Sequence, residues 1–405
     1  MWLAADLLRA RNVMRIGIAF TPDDPEIGGG ATYVQETLEA INSILPETSH
    51  TFYLISYASE RPPHLANIKL PWLGLQQAGL LSRPPARDYE YYQDIVRENL
   101  DLICYIQPWM GDILDIPYIS IVWDLQHRRQ PFFPEVSLFN EFERREEMYR
   151  RSLQRAAYII ASNEVGKEEI VTFYQVAPER VRTIHQPTPA FALAASPHPD
   201  VDDLFQRLGI DRDYLFYPAQ LWPHKNHILL LMMMQDLKSR HGLDLQLVLT
   251  GSDRKNQSFL TEKIALLGLE KQVILGGFVR QLDLIPLYQK AAALVFPSLF
   301  GPENFPPLEA FALGCPVIAG QIPGAEEQMG DAALLVDPLK HELWSDAVAR
   351  VLQDKALRST LISKGRTRAT SFGPTEFARE MLRLFDEFYL YRRTWPSSED
   401  SVTFD

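Results

Sequence analysis

The sequence alternates short apolar runs rich in β-forming residues with longer segments of helical period, and this alternation occurs twice along the chain. It is typical of βα units around a parallel sheet that is buried on both faces. The chain is therefore predicted to form two Rossmann-like α/β domains. The predicted strands are residues 16–20, 52–56, 102–106, 118–123, 158–161 and 181–184 in the first set, and 214–217, 245–250, 273–275, 294–297, 316–319 and 334–336 in the second.

A proline-rich segment without a regular period separates the two sets. Residues 185–200 contain four prolines and are predicted to be the interdomain linker. We assign residues 1–190 to a first domain and 191–372 to a second, followed by a C-terminal helix returning towards the first domain and a tail, over 373–405. Because ligands bind at the carboxyl ends of parallel strands, the site is expected in a cleft between the domains.

Composition narrows the classes of partner. The 405 residues carry 40 Lys and Arg against 52 Asp and Glu, and this formal charge of −12 argues against binding nucleic acid. The longest apolar run, 228–234, is far shorter than the roughly 20 residues needed to cross a bilayer, so no transmembrane segment is predicted. Cys104 and Cys315 lie in apolar, strand-like contexts, which indicates a reducing, cytoplasmic setting.

Three glycines follow the first predicted strand and precede a predicted helix. Backbone N–H groups of Gly28, Gly29 and Gly30 can approach a ligand closely, and the start of the helix adds partial positive charge. A binding site for a diphosphate is one interpretation of this motif. A flexible turn that needs positive φ is the other, and so short a motif is compatible with both.

Two residues of the second half are candidates for binding a nucleotide. Lys225 follows the opening strand of that half, where its ammonium can meet a phosphate, although most lysines are simply solvated. Glu309 is predicted in the first turn of a helix opened by Pro306 and Pro307. Its carboxylate either accepts hydrogen bonds from a ribose diol or only favours the helix dipole.

Glu303 and Asn304 stand in the loop just before that helix. Their side chains, or the N–H groups beside them, are candidates for contacting the hydroxyl groups of a sugar.

Several ordered motifs resemble those of the GT-B fold glycosyltransferases, specifically the retaining family 4 type. The resemblance covers nearly the whole chain and is strongest over residues 217–227, 249–253, 276–279, 296–319 and 330–338. It implies two Rossmann-like domains facing across a cleft, with the nucleotide sugar on the second and the acceptor on the first. It also implies an enzyme that uses no cofactor and, in general, no divalent metal.

The resemblance gives donor-binding roles to individual residues. Lys225 resembles the family's diphosphate-binding lysine, and Glu309 resembles the second glutamate of its paired-glutamate motif, which binds the ribose. The other matches are Gly28, Gly29 and Gly30 near the phosphates, Gly251 and Ser252 beside the nucleotide, Phe278 and Val279 at the base, and the backbone of Asn304 and Phe305 at the hexose.

Two positions of the donor side depart from the family pattern. Gly301 stands where the first glutamate of the pair is expected, and Glu303 or Asn304 is the candidate substitute. Gln220 stands where many members carry an arginine, so Lys225 is expected to bear more of the diphosphate charge.

A third departure concerns the catalytic histidine. Trp123 occupies the position at which the family often carries it. His127, three residues after Asp124, matches a subgroup that reads Asp-Leu-x-His, and it is the candidate catalytic histidine facing the donor sugar. The alternative is an ordinary polar residue bonded within its own loop.

The resemblance implies a retaining hexosyltransferase of polysaccharide synthesis. The expected donor is UDP-glucose first and GDP-mannose second, and the expected acceptor is a glycan or a lipid-linked glycan. Large apolar side chains of the first half can stack on sugars or hold a lipid carrier, which would bring the protein to the inner face of a membrane. They are Trp72, Leu73, Leu75, Leu80, Leu81, Tyr89, Tyr91, Tyr92 and Trp109.

Two other functions are compatible with the sequence. One is a UDP-sugar epimerase of similar two-domain fold, which would need additional acid and base residues in the cleft. The other is a non-catalytic relative that binds a nucleotide sugar or a glycan.

Overall fold

The computed structural model describes residues 13–21, 29–56, 60–74, 100–108, 116–196 and 198–395. Gly28, the tail from 396 onwards and the predicted acceptor residues Leu75, Leu80, Leu81, Tyr89, Tyr91, Tyr92 and Trp109 lie outside these residues. The described chain forms two parallel sheets, as the alternation predicted.

The first sheet has seven strands in the order β3-β2-β1-β4-β5-β6-β7. Every described pairing between them is parallel, and the side chains of β4, β5 and β6 are buried throughout, as expected for a sheet covered on both faces. The strands are β1 (Arg15–Ala19), β2 (Thr51–Ser56), β3 (Trp72–Gly74), β4 (Leu102–Tyr105), β5 (Tyr118–Val122), β6 (Tyr158–Ala161) and β7 (Val181–Thr183).

The second sheet has six strands in the order β10-β9-β8-β11-β12-β13, again with parallel pairs. The strands are β8 (Tyr214–Pro218), β9 (Gln246–Thr250), β10 (Val273–Gly277), β11 (Ala293–Phe296), β12 (Val317–Gly320) and β13 (Ala333–Val336). All six were predicted to within about two residues at each end. In the first sheet the prediction missed β3, because a strand of only three residues gives almost no period.

Helices connect the strands and cover the sheets. Gly268, at φ 63°, follows the end of α9, because glycine adopts the left-handed region without a steric penalty. The described helices are α1 (Gly29–Ser43), α2 (Gln126–Arg129), α3 (Pro134–Ser137), α4 (Glu141–Arg155), α5 (Glu164–Tyr174), α6 (Ala190–Leu193), α7 (Val201–Leu208), α8 (His227–His241), α9 (Gln257–Leu266), α10 (Gln281–Lys290), α11 (Phe305–Leu313), α12 (Ala325–Met329), α13 (His341–Gln353), α14 (Lys355–Ser371) and α15 (Pro374–Arg392). Among the residues with described structure, none of these helices is both long and apolar enough to cross a membrane.

The last helix packs on the first domain rather than on the second. Phe377 and Phe385 of α15 are buried in the same apolar cluster as Leu38 of α1. Near the end of α15, Arg392 Nη2 donates to Asp101 Oδ1 at 2.7 Å, and both side chains are about nine-tenths buried. The helix therefore ties the chain's C-terminal part to its N-terminal sheet.

The segment 185–200 joins the two sheets and contains the four-residue helix α6. It is anchored on the first domain, since the Ala190 N–H donates to Glu36 Oε2 of α1 at 2.8 Å. Burial raises the pKa of Glu36 to about 7, because the backbone hydrogen bond only partly offsets desolvation. The domain limits after residues 190 and 372 stay predictions.

Candidate active site

A cleft of about 1040 Å³ lies between the two domains. The start of α1 and the segment after β5 line it from the first domain, and the loops after β8, β9 and β11 line it from the second. The sequence predictions converge here, because most of the predicted site residues line this one cleft. They are Gly29, Gly30, Lys225, Gly251, Ser252, Phe278, Val279, Glu303, Asn304, Phe305 and Glu309.

Lys225 ends a short 3₁₀ turn, Pro223–Lys225, directly before α8. Its Nζ lies 3.3 Å from Asn304 Oδ1, 3.5 Å from Ser298 Oγ and 5.4 Å from the centroid of the Phe296 ring. Burial lowers the pKa of Lys225 to about 8, against the opposing effect of nearby carboxylates. Among the described residues its hydrogen-bond partners are neutral, and the side chain is only partly exposed, so this ammonium is well placed to bind an anion in the cleft.

Glu309 lies in the second turn of α11, not in its first, because the helix begins at Phe305. The helix-dipole interpretation of this carboxylate is therefore wrong. Tyr288 donates its hydroxyl to Glu309 Oε2 at 2.5 Å, and desolvation raises the pKa of Glu309 to about 7. A buried carboxylate facing a cleft with one oxygen anchored can accept hydrogen bonds from ligand hydroxyl groups through the other.

The structure gives a physical reason for glycine at the position of the family's first glutamate. Gly301 has φ 129°, and a Cβ at that position would lie 2.7 Å from Asn304 Nδ2 and 2.8 Å from Asn304 Oδ1. The Asn304 side chain thus fills the space that a side chain at 301 would need. Of the two proposed substitutes, Asn304 is the one that contacts Lys225.

Glu303 is committed elsewhere. Its carboxylate accepts a hydrogen bond from the Gln186 N–H at 2.6 Å and contacts His185 Nδ1 at 2.7 Å, so it fastens the donor-side loop to the linker. Burial raises the pKa of Glu303, and its carboxylate in turn raises the pKa of His185. Glu303 therefore acts as a structural contact at the rim of the cleft rather than as a free sugar ligand.

The glycines on the first-domain side lie inside a helix. Gly29 and Gly30 are the first residues of α1, and neither has positive φ, so the flexible-turn interpretation does not hold for these two. A Cβ on Gly30 would lie 3.1 Å from the Trp123 ring, so glycine allows the close packing of that ring. The N-terminus of α1 still borders the cleft as a place for negative charge.

On the second-domain side of the cleft, Gly251 permits a close approach of the Ala219 backbone. It has φ 140°, and a Cβ there would lie 2.4 Å from the carbonyl oxygen of Ala219. Ser252, Phe278 and Val279 border the cleft beside it, and Phe278 keeps 44% of its surface exposed.

His127 is not in the cleft, which corrects the assignment of this residue as a catalytic histidine. It is fully buried inside the first domain, where Nε2 lies 3.0 Å from Glu146 Oε1 and 3.1 Å from the Tyr174 hydroxyl. Its ring stacks on Tyr149 at 5.8 Å, and desolvation lowers its pKa. The Asp-Leu-x-His pattern correctly predicted that this segment borders the cleft, but the His127 side chain itself is buried away from the cleft.

We predict a stability effect for His127→Phe, which keeps the ring but removes the hydrogen bond. The free energy of unfolding should fall by about 1–2 kcal/mol, because Glu146 and Tyr174 lose a partner in a buried network. The KM for donor should change less than about twofold. Urea denaturation and steady-state kinetics check both values, and a large loss of kcat with unchanged stability would contradict the prediction.

The structure adds a contact between the domains that the sequence did not reveal. Glu135 of α3 reaches across the cleft, and its Oε1 lies 2.5 Å from His224 Nδ1, next to Lys225. Gln130 Nε2 donates to the carbonyl oxygen of Leu299 at 2.9 Å in the same region. Neither contact joins residues close in sequence, so no local pattern could have found them.

No group of three or more His, Cys, Asp or Glu side chains that could hold a metal ion occurs within the parts of the chain described above. The expectation that the reaction needs no divalent metal stays a prediction.

Comparison with known proteins agrees with this architecture. The family model "Glycosyl transferases group 1" matches residues 200–368. The chain is 25% identical over 278 residues to the O-antigen chain mannosyltransferase B of Escherichia coli, covering 66% of this chain and 73% of that protein. It is 26% identical over 206 residues to the O-antigen chain mannosyltransferase RfbU of Salmonella typhimurium, covering 51% of this chain and only 54% of that protein.

Solved structures extend the similarity to the whole fold. A glycosyltransferase from Rickettsia africae superposes with a TM-score of 0.72 at 16% identity, covering 94% of this chain and 99% of that one. Anabaena Alr3699/HepE in complex with UDP-glucose gives 0.71 at 16% identity, covering 92% and 100%. Residues 200–368 thus match the group 1 glycosyltransferase family model, and the chain has the GT-B fold of these glycosyltransferase structures over nearly its whole length.

Proposed function

We propose that the protein transfers a hexose from a nucleotide diphosphate sugar to a glycan acceptor, with retention of the anomeric configuration. The observation that carries the proposal is that two ionisable groups, the partly buried Lys225 and the buried Glu309, line the same cleft from the second domain. An ammonium and a carboxylate match the two ends of a nucleoside diphosphate, whose phosphates are anionic and whose ribose offers hydroxyl donors.

In the proposed reaction the bond between the anomeric carbon and the diphosphate breaks, and negative charge grows on the leaving phosphate oxygen. Lys225 and the N-terminus of α1 stabilise that charge in a partly closed cleft, where fixed charges act more strongly than in water. Retention follows if the acceptor hydroxyl attacks from the face that the diphosphate leaves and passes its proton to the departing oxygen. Gly301 offers no side chain that could act as a nucleophile at the family's motif position.

The donor and acceptor classes rest on the relatives. Two related proteins are named O-antigen chain mannosyltransferases, and a structural neighbour was crystallised with UDP-glucose. UDP-glucose and GDP-mannose are therefore the two donors to compare first. The O-antigen names support a glycan acceptor in polysaccharide synthesis, which includes lipid-linked glycans at a membrane surface.

The proposal is tested by incubating the purified protein with UDP-glucose or GDP-mannose and a panel of glycans, following product formation and anomeric configuration by NMR. Transfer with the α-linked donor yielding an α-linked product supports it. Release of an epimerised nucleotide sugar would instead indicate an epimerase, and tight nucleotide binding without turnover would indicate a binding protein. Thermal-shift measurements with UDP and GDP identify the base. Loss of transfer in EDTA would contradict independence from divalent metal.

The pH dependence of kcat/KM for donor should be bell-shaped, because that parameter reports ionisations of the free enzyme. Glu309, whose pKa is raised to about 7, must lose its proton to accept ribose hydroxyl groups, so activity rises through that pH. Lys225, whose pKa is lowered to about 8, loses its charge above that pH, so activity falls again.

Lys225→Arg is the matched variant for the pH profile, because a guanidinium does not titrate in this range. It should retain the acidic limb and lose the alkaline limb. A profile that is flat between pH 6 and pH 9 for the unaltered protein, or an alkaline limb unchanged in the arginine variant, would contradict the assignment.

A further inference from the structure

Among the described residues, four that line the cleft from the first 190 positions have a buried side-chain atom without a hydrogen-bond partner: Gln35 Oε1, Trp123 Nε1, Glu135 Oε2 and Gln186 Oε1. Two of these atoms, Glu135 Oε2 and Trp123 Nε1, are considered together. Both residues line the cleft and both belong to the segment that follows β5. Most buried polar side-chain atoms in folded proteins are paired, so two unpaired atoms in one cleft require an explanation.

The Glu135 carboxylate is held firmly on one side only. Its Oε1 lies 2.5 Å from His224 Nδ1 and accepts from Gln126 Nε2 at 3.3 Å, and the side chain is only 6% exposed. Burial raises its pKa, but the hydrogen bonds it accepts, from His224 above all, together with the nearby positive charge, outweigh burial, so the net pKa shift is downward. An ionised oxygen without a donor is costly to bury, which favours a ligand that supplies a hydroxyl group.

Trp123 belongs to the same segment as Glu135 and lines the same cleft. Its ring packs edge-on against Tyr33, with 5.6 Å between ring centroids. The next residue, Asp124, accepts the Gln126 N–H at 2.9 Å, and Gln126 contacts Glu135. An indole N–H can only donate, whereas a carboxylate oxygen can only accept. The pair thus offers complementary partners to two hydroxyl groups.

The charge of this segment argues against a second phosphate site. Asp124 and Glu135 lie near enough to Lys225 to raise its pKa, so both carboxylates border the proposed diphosphate position. Their own negative charge repels anions. A neutral ligand rich in hydroxyl groups can hydrogen-bond to the two unpaired atoms and is not repelled by the carboxylates. An aromatic ring beside a carboxylate also suits a sugar, which has an apolar face and hydroxyl edges.

We infer that Glu135 and Trp123 form the acceptor-sugar subsite, in which one acceptor hydroxyl donates to Glu135 Oε2 and another oxygen of that sugar accepts from Trp123 Nε1. This inference rests on the proposed transferase function and specifies which first-domain residues bind the acceptor. Glu135 is a binding residue here, and no proton transfer to it is required.

The test uses the full-length protein with methyl α-D-glucopyranoside and methyl α-D-mannopyranoside as acceptor probes, in the presence of UDP-glucose or GDP-mannose. Glu135→Gln should raise the acceptor KM about tenfold, because one hydrogen bond to a charged group is lost, and should change the donor KM far less. Trp123→Phe keeps an aromatic ring but removes the indole N–H, so it should also raise the acceptor KM. Glu143→Gln, an exposed residue of α4, is the matched control and should behave like the unaltered protein.

Each outcome decides the inference. A rise in donor KM rather than acceptor KM would make Glu135 a donor-sugar contact and overturn it, as would an acceptor KM equal to that of the control. If Glu135→Gln fails to fold, Trp123→Phe alone decides by the same criterion. Failure of both probes to bind or react with an unaltered protein that does transfer to other glycans would also overturn it. No nucleotide-sugar turnover at all would instead contradict the proposed function.

Discussion

Lys225→Ala is expected to lower kcat/KM for transfer by about 100- to 1000-fold, the loss seen when one preorganised electrostatic group is removed from a site of developing charge. Within the described part of the chain, its hydrogen-bond partners up to 3.5 Å are the neutral Asn304 Oδ1 and Ser298 Oγ. Its charge is therefore not already neutralised by an ion pair. Because the leaving diphosphate gains negative charge in the transition state, kcat should fall as well as kcat/KM.

Lys238→Ala is the control for this measurement, since Lys238 is an exposed lysine in α8, the helix that follows Lys225. It should leave both kinetic constants unchanged. Thermal denaturation should show that Lys225→Ala is at least as stable as the unaltered protein, because a desolvated charge has been removed. A Lys225→Ala protein with normal kcat would contradict the placement of the diphosphate at this residue.

The fold could be predicted almost completely because each described strand except the three-residue β3 is an apolar run that can be recognised from its own residues. Runs such as Gln246–Thr250 are fully buried and apolar enough to be recognised from a few neighbouring residues. The second-domain side of the cleft was predictable for the same reason, since Lys225 and Glu309 follow strands whose order fixes where their loops lie.

The first-domain side of the cleft was not predictable, because it depends on side-chain direction and on contacts between distant residues. His127 and Trp123 are four positions apart in the segment after β5, yet of these two only Trp123 lines the cleft. Glu135 meets His224 across 89 positions of sequence. The reason for glycine at position 301 is likewise visible only in the fold, where the Asn304 side chain occupies the space next to it.

Glu309→Gln is expected to separate donor binding from stability. Its carboxylate is positioned to accept ribose hydroxyl groups, and the loss of hydrogen bonds to a buried charged acceptor should raise the donor KM about 100-fold. The amide keeps the shape of the side chain and can still accept from Tyr288 at the 2.5 Å contact. Glu270→Gln, an exposed residue of the same domain, is the matched control.

The stability of this variant should move in the opposite direction to its function. The pKa of Glu309 is raised from its ordinary 4.5 to about 7 by burial, so its ionised form destabilises the folded protein. This cost is absent below pH 4.5, grows between the two values and is complete above pH 7. Denaturation at pH 8 should therefore show Glu309→Gln to be at least as stable as the unaltered protein while its donor KM is much higher. A variant that loses stability but binds UDP and GDP normally would mean that the carboxylate serves the fold, and the nucleotide would then have to bind without it.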